Sequence, residues 1–447
     1  MQRFLLAPLL ALFALVSNPA HAIGLLRDAE VERGLREIAA PVLQAAGLSA
    51  GNVRILIVND PSLNAFVMNS RAIFIHSGLL MKLKSREQLQ AVLGHEAAHI
   101  ANGHLTRRPV NAQNARTASK IGLALSLAAG AASGNGAAGA GLAIGSQSAA
   151  RRVFLGHTRS EENSADQSSV RYMMRAGADP MAAVEVQEIF AGKVALNVSR
   201  QDPYMRSHPL TRDRIRALKS LASVNRDNIR PNPRLDAWFD LIHGKLTAFK
   251  RAPTWTLRQT KGKTDAISTM RQAVAYHRQP NTKKAVASIN ALLKKQPNNP
   301  YVHELKGQIL MESRQFGASV KSYGRAANLA PRSPLILGGY GRALLATKST
   351  ANTKTALSVL KKANARDGLD ARILRDLGVA YARLGQNGMA SLATAERYAL
   401  VGKICDAGIH AQRASGLLSR GSASWQRAQD VVQTHRQNCS GKKRKRG

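Results

Sequence analysis

Leu93-Gly94-His95-Glu96-Ala97-Ala98-His99-Ile100 is a His-Glu-x-x-His motif in an apolar frame. Residues four apart on an α-helix lie one above the other, so His95 and His99 project from one face. Two neutral imidazoles so placed can bind one zinc ion, with Glu96 beside it as a base for water. Ser85-Arg86-Glu87-Gln88 upstream supplies an N-cap and an early carboxylate, which predicts a helix running through the motif to about Gly103.

Outward from that helix, the preceding text alternates. Asp28 to Ala46 has helical periodicity (Val31, Leu35, Ile38, Val42) and stops at Gly47. Val53 to Val58 reads as a strand closed by Asn59-Asp60-Pro61, and Ala65–Met68 with Ala72–Ile75 flank a turn at Asn69-Ser70-Arg71 as a hairpin. Gly78 to Leu83 begins a helical turn. The order is helix, small sheet, metal helix.

A catalytic zinc needs three protein ligands and one open position. Downstream, Arg159-Ser160-Glu161-Glu162-Asn163-Ser164-Ala165-Asp166 puts Glu162 and Asp166 on one helical face. One can then ligate while the other accepts a hydrogen bond from a ligand histidine, which fixes its tautomer. Chemistry alone leaves Glu161, Glu162 and His157 competing for the third position. The helix from Thr158 to Met174 ends at Gly177, and Ser207-His208-Pro209-Leu210 precedes a basic helix within Arg206–Leu221.

Met1 to Ala22 has the form of a secretory signal: Arg3, an apolar run from Phe4 to Val16, and Ala20-His21-Ala22 as a small-x-small cleavage site. That run is short for a membrane span and is broken by Asn18-Pro19. Residues 117–150 are uncharged between Lys120 and Arg151 and rich in Gly, Ala and Ser. Their small residues and the break at Gly134-Asn135-Gly136 favour a helical hairpin near the active site over a membrane span or membrane-contacting flap.

The formal charge is 65 − 27 = +38, or +37 without Arg3. For an exported chain such an excess suits anionic lipid headgroups or acidic envelope partners, not nucleic acid. The run Lys442-Lys443-Arg444-Lys445-Arg446 reads as a solvated tail. In an oxidising compartment the two cysteines, Cys405 and Cys439, are expected to bridge, constraining the unfolded chain by roughly 3–4 kcal/mol.

Residues 226–265 carry Pro231, Pro233 and Pro253 and read as a linker with a short helix around Leu235 to Phe249. From Ala266 a period of 34 appears: Ala273 and Gly307, Tyr276 and Leu310, Ala285 and Ser319, Pro297 and Pro331. Gly307, Phe316, Tyr323, Ala326 and Pro331 fall where tetratricopeptide repeats place small, aromatic and terminating residues. A third unit near Pro334 carries Gly341 and Leu344 with about three extra residues, and a fourth has Gly378, Tyr381, Gly385 and Ala390. Stacked units of this kind form a concave binding surface.

Together His95 to His99, Arg159-x-x-Glu162-x-x-Ala165-Asp166 and Ser207-His208-Pro209 resemble zinc metallopeptidases of the HtpX and prenyl-protein-processing type. With the signal and the repeats, the chain resembles their periplasmic branch, the beta-barrel assembly-enhancing proteases. The resemblance covers nearly the whole mature chain. It implies an α+β zincin-type metalloprotease domain, mostly helical with a small sheet, followed by an all-α tetratricopeptide-repeat solenoid. The expected boundaries are a signal peptide at 1–22, the peptidase domain at 23–225, the linker at 226–265, repeats at 266–404, and a helical extension with basic tail at 405–447.

By the same resemblance, one zinc per subunit is held by His95, His99 and Glu162, Glu96 is the base, and Asp166 supports the ligands from behind. Asn64-Ala65-Phe66 and Ser77-Gly78-Leu79-Leu80 match the family's sheet and turn before the metal helix. His208 occupies the open position and keeps the enzyme latent, with Arg214 anchoring its loop. His104 matches a recurrent histidine that is not a ligand and is expected to be buried and hydrogen-bonded. The implied activity is endopeptidase cleavage of misfolded or stalled outer-membrane proteins in the periplasm, after removal of the signal at Ala22. The repeats would hold clients and contact the barrel-assembly machinery. Ser164 and Gly103 depart from the family pattern, where glutamate and arginine are usual. A chaperone or scaffold with a latent or structural zinc is the competing reading.

Overall fold

The computed structural model describes residues 24–105, 158–196, 208, 212–224 and 229–439. The signal segment, the stretch 117–150, His157, Ser207, Pro209 and the terminal basic run lie outside them.

Helix α1 (Ala29–Ala45) starts where Asp28 accepts hydrogen bonds from the amides of Glu30 and Val31, satisfying donors the first turn leaves open. It ends at Gly47, whose φ of 72° takes the left-handed conformation that closes a helix. Three strands follow the expected text, β2 (Arg54–Val58), β3 (Ala65–Asn69) and β4 (Ala72–His76), and a two-residue β1 (Leu25–Leu26) is added that the sequence did not suggest. Their order is β1-β2-β4-β3, with β2 parallel to β4 and β3 antiparallel to it. The β3–β4 turn is closed by the Arg71 amide donating to Asn69 Oδ1 at 2.9 Å. β3 is an edge strand.

Helix α2 (Ser77–Lys82) leads to α3 (Arg86–Ala101), whose Ser85 cap accepts from the Gln88 amide. α3 is buried from Gln88 to His99, because α1, β3 and β4 pack around it. Gln90 Nε2 donates to the Ile38 carbonyl at 3.0 Å, so its buried amide nitrogen has a partner inside the core. Helix α4 (residues 158–175) closes another side: Ser169 Oγ donates to the Ala91 carbonyl, and Asn102 Nδ2 reaches Ser164 and Ser168. Helices α5 (Met181–Leu196) and α6 (Arg212–Ser223) complete the domain.

Within the segment expected as a linker, residues 233–250 pack into this core. Pro233 and Pro253 stand in the first turns of α7 (Pro233–Lys250) and α8 (Pro253–Gln259), where a missing amide hydrogen costs nothing. The prolines start helices here and do not space domains. α7 buries Phe239, Ile242 and Leu246 in the cluster that holds Leu35, Ile38 and Leu89. Each such side chain contributes about 1.5–3 kcal/mol relative to exposure.

An all-α array of antiparallel helix pairs follows: α9 (Ala266–Arg278) with α10 (Thr282–Lys295), α11 (Pro300–Glu312) with α12 (Phe316–Leu329), α13 (Pro334–Ala346) with α14 (Thr350–Arg366), and α15 (Ala371–Arg383) with α16 (Asn387–Leu400). The small residue in each first helix makes close pairing possible. A Cβ on Gly307 would meet the Tyr323 ring at 2.6 Å, and one on Gly341 would meet Leu360 at 2.5 Å. The extra residues of the third unit lengthen its second helix: α14 has 17 residues where α12 has 14. A last pair, α17 (Ile404–Leu417) and α18 (Ala423–Cys439), is tied by the Cys405–Cys439 disulfide.

The two parts lock together at the start of α1. Arg27 reaches Asp367 at 2.6 Å and also pairs with Glu32, while Arg54 Nη1 lies 3.0 Å from Asp367 Oδ1. Lys245, 1% exposed, holds Asp28 and Glu30 at 2.9 and 3.0 Å. Among the described residues no helix is long and apolar enough to cross a membrane.

Candidate metal centre

The helical spacing of α3 brings the Nε2 atoms of His95 and His99 to 3.1 Å. From α4, Glu162 places Oε2 3.3 Å from His95 Nε2 and Oε1 3.4 Å from His99 Nε2. His208 completes the group, with Nδ1 3.3 Å from His95 Nε2 and 3.0 Å from each Glu162 oxygen. All four residues are buried and offer ligand atoms within 4.8 Å of one another, so the group is able to hold a metal ion.

The donor set fits zinc in type and size. Zinc–ligand distances of about 2.0–2.1 Å in a tetrahedron put neighbouring ligand atoms roughly 3.3–3.4 Å apart. The edges between His95, His99, Glu162 and His208 measured above run from 3.0 to 3.4 Å.

The outward nitrogens of both motif histidines also have polar neighbours. His95 Nδ1 lies 3.0 Å from Asp166 Oδ1, and His99 Nδ1 lies 2.9 Å from His104 Nδ1. His104, expected to be buried and hydrogen-bonded, is 2% exposed and supports His99 from outside. Arg214 on α6 grips Asp166 through Nε and Nη2 at 2.9 and 3.0 Å and stands 3.3 Å from Glu162. The sequence reading gave Arg214 only a loop-anchoring part. Its grip on two carboxylates is a contact across at least 48 residues that short-range reading of the sequence does not reach.

Electrostatics follow from this closeness. Burial disfavours charge on His95, but hydrogen bonds to Asp166 and Glu162 outweigh it and push its pKa up to about 10. Glu162 loses hydration, yet the His208 imidazole and His95 hold it well below the usual carboxylate range. Asp166 is desolvated too, and His95 and Arg214 lower it nonetheless.

Glu96 sits one residue past His95, 1% exposed, with Oε1 3.5 Å from His208 Nε2. A void of about 20 Å³, the room of one water, adjoins His95, Glu96, Asp166 and Gln187. Glu161 is buried on α4 but is not among the four converging residues, and His157 lies outside the described residues.

Comparison with known proteins accounts for this geometry. Residues 26–222 match the sequence pattern of Peptidase family M48. A putative beta-barrel assembly-enhancing protease of Vibrio cholerae is 27% identical over 259 residues, covering 55% of this chain and 51% of that protein. The beta-barrel assembly-enhancing protease of Yersinia pestis is 24% identical over 274 residues, covering 59% of this chain and 55% of that protein. A protease HtpX homolog of Streptococcus equi is 49% identical over 53 residues, 11% of this chain and 18% of its own length. The chain spans about half the length of the first of these relatives.

Proposed function

We propose that this chain, whose residues 26–222 match peptidase family M48, is a zinc-dependent endopeptidase held latent by His208. The observation that carries the reading is the buried, converging set of His95, His99, Glu162 and His208, with Glu96 beside it.

In this reading His95, His99 and Glu162 hold the zinc, and Asp166 and His104 fix their orientation from behind. Bound zinc supplies Lewis acidity, which lowers the pKa of a water and polarises a scissile carbonyl. Glu96 accepts the proton of the attacking water at its carboxylate and hands it to the leaving amine. Arg214 neutralises the charge of Asp166 and Glu162 in a site without bulk water. An extended substrate adds as a strand to the free edge of β3, along Ala65–Met68, where backbone hydrogen bonds hold it irrespective of sequence. His208 must withdraw for the fourth position to open.

The relatives named beta-barrel assembly-enhancing proteases support misfolded or stalled outer-membrane proteins as substrates, with the repeats holding the client and the barrel-assembly machinery as a further partner. The periplasm is the corresponding location, with the signal removed after Ala22. The proposed peptidase unit is 23–225 extended by α7, and the proposed repeats are 266–404.

One observation favours a second reading. A fourth protein donor closes the metal set, and closed sites are the structural kind. The chain would then be a scaffold or chaperone with a structural zinc. Zinc quantification with a casein-type cleavage assay on wild type, Glu96→Gln and His208→Ala separates the two. The protease reading expects zinc in all three, no cleavage by Glu96→Gln and a gain with His208→Ala. Cleavage that persists in Glu96→Gln would sink the base assignment, and no gain with His208→Ala would favour the scaffold.

A further inference from the structure

Charge is sorted between the two sides of the repeat array. The first helices of the pairs face one another and the peptidase domain: α11 packs on α13, α13 on α15, and Asp367 and Asp370, in the turn between α14 and α15, pair with Arg27. The acids of these helices are on this side, where Asp376 also binds Arg342 and Arg375. The second helices of the first three pairs are different. α10, α12 and α14 carry ten Lys or Arg and no Asp or Glu.

All ten are exposed, and among the described residues none forms an ion pair. On α14, Lys354, Lys361, Lys362 and Arg366 recur at helical spacing, which keeps them on one side. α10 carries Lys283-Lys284 at one end and Lys294-Lys295 at the other, eleven residues on, about three turns later on the same side. α12 adds Lys321 and Arg325, one turn apart. The pattern stops at α16, where Glu396 pairs with Arg427.

From this we infer that the face formed by α10, α12 and α14 is a docking surface for an anionic lipid surface. The composition selects that partner. Eight of the ten are lysines, hydrated point charges suited to a diffuse anionic surface, whereas phosphate forks and base edges are read mostly by arginine. None of the large exposed hydrophobic residues lies on these helices, and their one phenylalanine, Phe316, is half-buried, so stacking on bases or insertion among acyl chains contributes little. What remains is attraction at headgroup level, additive over lysines and screened by salt. Docked this way, the opposite side of the array, with the peptidase domain, faces away from the membrane.

The test uses the full chain in sedimentation with vesicles of phosphatidylcholine alone or mixed with phosphatidylglycerol, at low and at physiological salt. Binding is expected only to the anionic vesicles, falling as salt rises. The variant Lys354→Gln/Lys361→Gln/Lys362→Gln should weaken it roughly tenfold or more. The variant Lys403→Gln/Arg413→Gln/Arg420→Gln removes the same charge from α17 and its neighbourhood, and should weaken it far less. Equal loss in the two variants overturns the proposal in favour of net charge alone. So does loss of binding in a chain ending at Cys439, which would assign it to the terminal basic run. Lysine-dependent binding to duplex DNA without binding to anionic vesicles overturns it in favour of nucleic acid. Circular dichroism of each variant confirms that the fold is kept.

Discussion

His95 Nδ1 stands 3.0 Å from Asp166 Oδ1, and Asp166 is in turn gripped by both ends of the Arg214 fork. The histidine is therefore turned with Nε2 towards the metal position. A carboxylate behind a ligand histidine raises its basicity and fixes its tautomer. Asp166→Asn is expected to lower zinc affinity by about 10–100-fold. Competition with a chelator of known affinity measures it. Unchanged affinity would make the carboxylate a packing element only.

Glu304 on α11 has a buried Oε2 with no hydrogen-bond partner among the described residues, near Asp28, Glu30 and Lys245. Burial and then the Asp28 charge raise its pKa to about 8, against a partial opposing pull from Lys245. The folded pKa lies above the unfolded one, so its stabilising contribution is full below the unfolded value and is lost as pH rises towards 8. Glu304→Gln should then gain stability over wild type across that interval, by at most ~1.4 kcal/mol per pH unit. Urea midpoints for both chains at several pH values give the difference directly. Parallel curves would show that Glu304 ionises freely in the fold.

Arg27 joins the first strand to the repeats through Asp367, with 5% and 3% of the two side chains exposed. Burial alone would raise the Asp367 pKa, but the hydrogen bond and charge of Arg27, aided by Arg54, lower it. The contribution is therefore present above the unfolded pKa and lost as pH falls through the folded one. Asp367→Asn leaves Arg27 short of a charge partner and should cost about 3 kcal/mol. Limited proteolysis and thermal unfolding should both show the repeats loosening from the peptidase domain. An unaltered melting temperature would mean that Glu32 and Asp370 carry Arg27 alone.

Sequence made the local elements legible and left their assembly hidden. The capped helix through His95 and His99, the hairpin at Asn69-Ser70-Arg71 and the 34-residue period all follow from short-range rules, and the structure has them. Glu162 could not be told from Glu161 by spacing, because both sit on α4 and only the helix-on-helix packing at Ser169 and Ala91 decides which faces α3. Arg214 and Asp166, 48 residues apart, could be joined only by folding. α7 was hidden for another reason: prolines at helix starts look like breaks until the helix they begin has a core to bury in.

Gly78 is the position where the peptidase core tolerates no side chain. Its amide donates to the Asp60 carbonyl at 2.9 Å, and Ser77 Oγ donates to the same oxygen at 2.9 Å, so the turn after β2 is stitched to the first residues of α2. A Cβ on Gly78 would fall 2.0 Å from the Pro61 carbonyl oxygen and 2.6 Å from that of Ser62. Both obstacles are backbone and cannot rotate aside, so Gly78→Ala must displace either the turn or α2. Overpacking of this kind costs about 3 kcal/mol or more. Because α2 leads directly into the Ser85 cap of α3, the displacement should also reach the metal helix and weaken zinc retention on dialysis. Gly51→Ala is the control: it meets only Ser49 Oγ at 3.6 Å and should leave the urea midpoint where it is. If Gly78→Ala unfolds at the same urea concentration as Gly51→Ala, the turn is softer than this close approach implies.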